Sequence, residues 1–85
     1  LYFVVPIHIT GIDDMGVLHE ITAIISQQLN ANIQKINLES NSGIFDGTFW
    51  INVHDVDDVK TIITNLQKIE EMKKVVRVEQ FEDTP

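Results

Sequence analysis

Apolar Phe3, Val5, Ile7 and Ile9 alternate with Val4, Pro6 and His8 at the start of the chain. This period of two marks a strand with one buried face. Pro6 has no N–H to donate, so pairing is expected to tighten only after it. Residues 10–16 are turn and cap types, after which the period lengthens. Val17, Leu18, Ile21, Ile24, Ile25 and Leu29 fall on one helical stripe. Asp13 or Asp14 is available as its N-cap, and Asn30 suits a left-handed turn at its end.

Ile36 and Leu38, entered through Ile33, predict a second strand that residues 41–43, Asn-Ser-Gly, break. Phe49, Ile51 and Val53 alternate with Thr48, Trp50 and Asn52, so a third strand follows at once and forms a hairpin whose tip spans residues 42–46. Asp55 caps a second helix, with Asp57 and Asp58 in its first turn. Val59, Ile62, Ile63, Leu66 and Ile69 make its apolar stripe. A polar connection, Glu-Glu-Met-Lys-Lys, leads to a fourth strand over residues 75–81. The order β-α-β-β-α-β with right-handed crossovers predicts an α+β, ferredoxin-like fold: a four-stranded antiparallel sheet with both helices on one face.

Composition narrows what such a fold can do. With 85 residues and 44% hydrophobic content, the chain has one core. A domain this short buries only about 60% of its unfolded surface, so it gains from an oligomeric partner or a larger parent. Without an initiator Met, residues 1–85 are expected to be a single domain of a longer chain. Thirteen acidic against six basic side chains give a net charge of −7, which repels phosphate backbones and argues against DNA. There is no Cys for a disulfide, a CxxC pair or a thiol nucleophile. No apolar run approaches the roughly 18 residues of a membrane span; a cytoplasmic location fits.

The chemistries this fold often hosts lack their residues. A metallochaperone needs CxxC after the first strand, and a small phosphatase needs Arg in the first loop, where two aspartates stand instead. An RNA binder needs exposed aromatics in basic surroundings, yet only Trp50 and Tyr2 offer stacking. His54-Asp55 spells the pair of metal-dependent HD hydrolases but joins a strand to a helix cap. His19-Glu20 begins an HExxH motif that fails at Ala23. Asp13 and Asp14 are adjacent carboxylates, and successive residues seldom aim at one reacting atom. No catalytic residue, metal site or cofactor is expected.

What remains specific is the first loop with the end of the first helix. Asp13-Asp14-Met15-Gly16-Val17-Leu18-His19-Glu20-Ile21, followed by Leu29-Asn30-Ala31-Asn32-Ile33, resembles the D-R-x-G-L-L-x-x-I…L-G-A-N-I pattern of ACT domains. The resemblance spans nearly the whole chain and is greatest to the carboxyl-terminal ACT domain of RelA/SpoT-type (p)ppGpp synthetase/hydrolases, the GTP pyrophosphokinases. Residues 33–37, 46–48, 53–57 and 75–79 also sit where that family has equivalents. The resemblance implies a non-catalytic regulatory domain of the stringent response that self-associates or contacts other domains of its parent, and senses a small amino-acid effector. It also implies a binding site using Gly11, Asp13, Asp14, Gly16, Asn30, Asn32 and Ile33. Gly16 would permit close backbone approach and a non-standard dihedral at the start of the helix, and the first helical turn would offer its N–H groups to a carboxylate. The sequence departs from the pattern at Asp14, where the family carries Arg or Lys, and at Met15, where many members have Pro. Asp14 repels a carboxylate and can meet only an amine.

Two other functional classes are open. One is a ribosome-contacting module of the same enzyme, which would have to gather Lys35, Lys73, Lys74 and Arg77 into one basic patch. The other is a free-standing amino-acid-binding protein. The alternation also assigns Val4, His8, Lys35, Asn37, Trp50, Asn52, Arg77 and Glu79 to the sheet face away from the helices. Val4, His8, Trp50, Asn52 and Arg77 are the candidate interaction surface, with Trp50 the large aromatic that a solvated face does not need.

Overall fold

The computed structural model describes residues 1–79. Its elements are β1 (Phe3–Ile12), α1 (Val17–Ser26), β2 (Ala31–Asn41), β3 (Ile44–Val53), α2 (Val56–Gln67) and β4 (Met72–Arg77). The strands form one antiparallel sheet in the order β2-β3-β1-β4. Val5, Ile7 and Ile9 of β1 and Phe45, Phe49, Ile51 and Val53 of β3 are buried together with Val17, Ile21 and Ile25 of α1 and Val59, Ile62 and Leu66 of α2. The expected ferredoxin-like arrangement is therefore the observed one. Each such side chain contributes about 1.5–3 kcal/mol on burial.

Pro6 sits inside a continuous β1–β3 ladder that begins at Phe3, so pairing does not wait for it. Its carbonyl accepts from Val78 N at 2.9 Å, and the β4 ladder begins at the next residue, Ile7 opposite Arg77. The missing N–H thus falls on the β4 side just where that strand has ended, which is why a central strand tolerates proline here. β4 starts three residues earlier than expected, at Met72; the stretch predicted beyond residue 79, including Phe81, lies outside the described residues.

The loops differ from expectation for local reasons. Neither Asp13 nor Asp14 caps α1. β1 runs on to Ile12, Asp13 N donates to Gly43 O at 2.9 Å, and the Asp14 carboxylate accepts from its neighbour Met15 N at 3.2 Å. Gly16, left-handed at φ 86°, is the N-cap without any side-chain bond. α1 ends at Ser26 with Gln27 as a right-handed C-cap. Leu29 therefore lies past the helix and is 93% exposed, and Asn30 is not left-handed. Leu18, also expected in the stripe, is exposed.

The hairpin tip is two residues, not five. Ser42 and Gly43 both have positive φ, 56° and 81°, the pairing that matches the right-handed twist of the flanking strands. Asp46 consequently belongs to β3. β2 carries a bulge between Ile33 and Lys35. It lets Ala31 and Ile33 share a face with Ile36 and Leu38, although their numbers differ in parity.

Asp55 does cap α2, its carboxylate accepting from Asp57 N at 2.9 Å. Asp55→Ala is expected to lower the unfolding free energy by about 1 kcal/mol, and Asp14→Ala by less than about 0.5 kcal/mol. Urea titration of both variants checks the contrast, and equal losses would return Asp14 to a capping role.

Candidate functional site

The residues expected to bind an effector fall at two ends of the sheet. Gly11, Asp13, Asp14 and Gly16 follow the end of β1, beside the β2–β3 turn, where the Ser40 hydroxyl donates to Asp13 Oδ2. Asn30, Asn32 and Ile33 stand at the start of β2, level with Asn52 and Val53 near the start of β1. Ten residues of β1 separate the two groups, roughly 30 Å at the rise of a strand. One copy of the chain does not bring them together.

Each glycine of the loop has its own requirement. A Cβ on Gly11 would lie 2.6 Å from Glu71 O and 2.7 Å from Phe45 Cζ, so only glycine lets β1 pass this close to the start of β4. Gly16 has nothing within 4 Å of such an atom, and its constraint is its positive φ. The non-standard dihedral expected of Gly16 at the start of the helix is thus the observed one. The loop N–H groups are partly committed: Asp13 N to Gly43 O, Met15 N to Asp14 Oδ1 and Val17 N to Asp14 O at 3.2 Å.

Asn30 and Asn32 line a hollow of about 280 Å³ with Tyr2, Leu29, Ala31 and Asn52. Three carboxamides and a phenol offer both donors and acceptors. Tyr2 and the role of Asn52 here were not legible from the motif, because they come from the residue before β1 and from β3.

The sheet face away from the helices is ordered in rows. Lys35, Trp50 and Pro6 lie side by side across β2, β3 and β1; the next row is Asn37, Thr48, His8 and Val76, and the next Glu39, Asp46, Thr10 and Lys74. Lys35 Nζ lies 4.7 Å from the Trp50 ring centroid, which covers part of the indole. His8 Nε2 is 2.6 Å from Asp46 Oδ1, and Nδ1 is 3.1 Å from Thr48 Oγ1. A carboxylate only accepts, so Nε2 carries a proton. Thr10 Oγ1 donates to the same Asp46 oxygen at 3.1 Å.

Val4, His8, Trp50 and Asn52 lie on this face as expected. Arg77 does not. It stands opposite Ile7, on the side of buried Val75, and Val76 opposite His8 takes the open face. The expectation counted β4 from the wrong parity. Glu79 lies past the last paired residue. Asp46 was missed because the hairpin tip was placed too far along the chain and Thr10 because it was read as turn; Thr48 was placed on the strand, but its contact with His8 was not foreseen. Lys35 and Lys74 share the open face from opposite edges, whereas Lys73 falls in the register shift of β4 and Arg77 faces the other side. The four cations therefore form no single patch.

His54 Nδ1 lies 3.0 Å from Leu1 O and its ring stacks against Tyr2 at 4.7 Å, while the Asp55 carboxylate is engaged as a cap. Among the described residues, no three His, Asp or Glu side chains converge to hold a metal ion, and no helix is long and apolar enough to cross a membrane.

The ACT domain family model matches residues 2–77. The chain belongs to the ACT domain family. The crystal structure of the ACT domain from GTP pyrophosphokinase of Chlorobium tepidum is similar with a TM-score of 0.81 and 32% identity, over 92% of this chain and 100% of that one. Its solution structure gives 0.78 and 31%, over 98% and 93%. A homoserine dehydrogenase from Thiobacillus denitrificans shares the fold of this ACT domain at 18% identity, with a TM-score of 0.76 over 92% of this chain and 17% of that one. No curated protein shows significant similarity.

If dihedral strain and not space governs Gly16, Gly16→Ala is expected to destabilise the ACT domain by about 1–2 kcal/mol, and Gly16→Asn by clearly less, since Asn tolerates the left-handed region. Thermal melts of both variants check this. Equal losses would point to a contact.

Proposed function

We propose that this ACT domain is a non-catalytic regulatory module of a (p)ppGpp synthetase/hydrolase, acting by self-association or by docking to other domains of its parent. The observation that carries this is the likeness at about one-third identity to the whole ACT domain of a GTP pyrophosphokinase. The synthesis and hydrolysis of the alarmone, and any response to the ribosome, belong to the parent. The partly exposed Trp50 on the sheet face away from the helices supports contact as the mode of action, because aromatics are enriched at interface centres. The scattered cations favour a protein partner over ribosomal RNA, since phosphate binding needs adjacent positive charges.

Trp50→Ala is expected to weaken self-association or docking by about 1–3 kcal/mol with little change in the thermal midpoint of the isolated domain. Sedimentation and melts measure both. Intact association with a large fall in stability would assign Trp50 to the fold alone. The purified domain is expected to turn over neither GTP nor (p)ppGpp. Turnover abolished by His54→Ala would overturn the non-catalytic reading.

A second role, effector sensing, is supported by the hollow between Tyr2, Asn30, Asn32 and Asn52. Its neutral carboxamides can receive both ends of an amino acid, whereas Asp13 and Asp14 oppose a carboxylate at the loop. Asn32→Ala is expected to weaken amino-acid binding at least tenfold, and Asp14→Arg to leave this hollow unaffected. Calorimetry with a panel of amino acids would decide, and heats abolished by Gly16→Val but untouched by Asn32→Ala would move the site to the loop.

A further inference from the structure

The open sheet face is nearly free of the charge that dominates the molecule. The chain carries −7, yet the rungs of this face hold two cations, Lys35 and Lys74, against two carboxylates, Glu39 and Asp46. A balanced face can meet a copy of itself without the repulsion that the rest of the surface imposes. The charges are also segregated. Glu39 and Lys74 occupy the same row at opposite edges of the sheet, with Asp46 and Thr10 between them.

The geometry points to a two-fold, face-to-face dimer of this chain with the axis running parallel to the strands between β3 and β1. This rests on the self-association reading and specifies its surface and partner. Such an axis lays β3 over the second copy's β1 and β2 over its β4 while keeping each row over the same row. Thr48 then meets the other copy's His8 and Glu39 meets its Lys74, each contact occurring twice, with the Trp50 of each copy beside the axis. Stacked sheets cross at about 30° and lie about 10 Å apart. The middle three rows stay superposed at that angle, and Lys and Glu side chains are long enough to span the gap. An axis perpendicular to the strands is worse, because it would bring the Trp50 indole against the carboxylate of Asp46. Three strands of ten or eleven residues and the six-residue β4 cover roughly 600 Å² per copy, at the low end of specific interfaces. The dimer is weak and reversible.

The test is sedimentation equilibrium on the 85-residue chain. Glu39→Lys and Lys74→Glu are each expected to weaken dimerisation by about tenfold, and the double variant to restore it to within about threefold. Circular dichroism melts verify that each variant folds. As a second measurement, the natural absence of Cys allows a short thiol cross-linker to be applied to mixed chains bearing Asn37→Cys or Val76→Cys. Unlike chains should join in preference to like ones. Rescue of Glu39→Lys by Lys35→Glu in place of Lys74→Glu would overturn the axis in favour of the perpendicular one. A wild-type dimer indifferent to all of these changes would overturn the face while leaving self-association standing. A chain monomeric up to millimolar concentration would overturn both.

Discussion

The ten-rung pairing of β1 with β3, from Phe3 opposite Val53 to Ile12 opposite Ile44, is the constraint on which the rest of this domain depends. Because side chains alternate across a strand, one register assigns every residue of the two central strands to the helix side or to the open side. A slip of a single residue would expose Ile7, Ile9, Phe49 and Ile51 and bury His8 and Trp50. Burial of the apolar set makes that slip costly, so the same hydrophobic effect that builds the core also displays the polar rows on the other face.

The accommodations elsewhere serve this register. Pro6 loses a donor only where β4 has already ended, Gly11 lets β1 pass beneath Phe45 and the Glu71 carbonyl, and the bulge in β2 turns its second half back toward the core. The two-residue turn at Ser42 and Gly43 holds β2 and β3 in step. None of these devices adds chemistry. They keep two opposed surfaces apart, one closed by the helices and one left uncovered, and it is the uncovered one that carries a functional reading.

Charge divides in the same way. The aspartates before α1 and at the start of α2 gather at loops and helix ends, while the open face is balanced and knit by the contacts of His8 with Asp46 and Thr48. An acidic domain with one neutral, aromatic-centred face is suited to meeting a protein. It is poorly suited to phosphate, and the asparagine-lined hollow lies at the end of the sheet away from the loop carboxylates.

The element order, the apolar stripe of α2 and its Asp55 cap were legible in the chain because each depends on spacing within about ten residues, and the family pattern because it is a succession of such short motifs; the stripe of α1 was legible except at Leu18 and Leu29. The open-face positions Val4, His8, Trp50 and Asn52 followed from alternation alone. What the chain could not reveal depended on register between distant strands. Arg77 turned from the open face to the helix side because the pairing with Ile7, 70 positions away, sets its parity. The N-cap of α1 passed from aspartate to Gly16 because the hairpin drew Asp13 into the end of β1. The split of the effector residues between two ends of the sheet was invisible in a motif that lists them together, since a strand of ten residues carries the chain the full length of the domain. Local propensity determined which segments are helix or strand; the side each residue faces, and the neighbours it meets there, came from hydrogen-bonded pairing across the sheet.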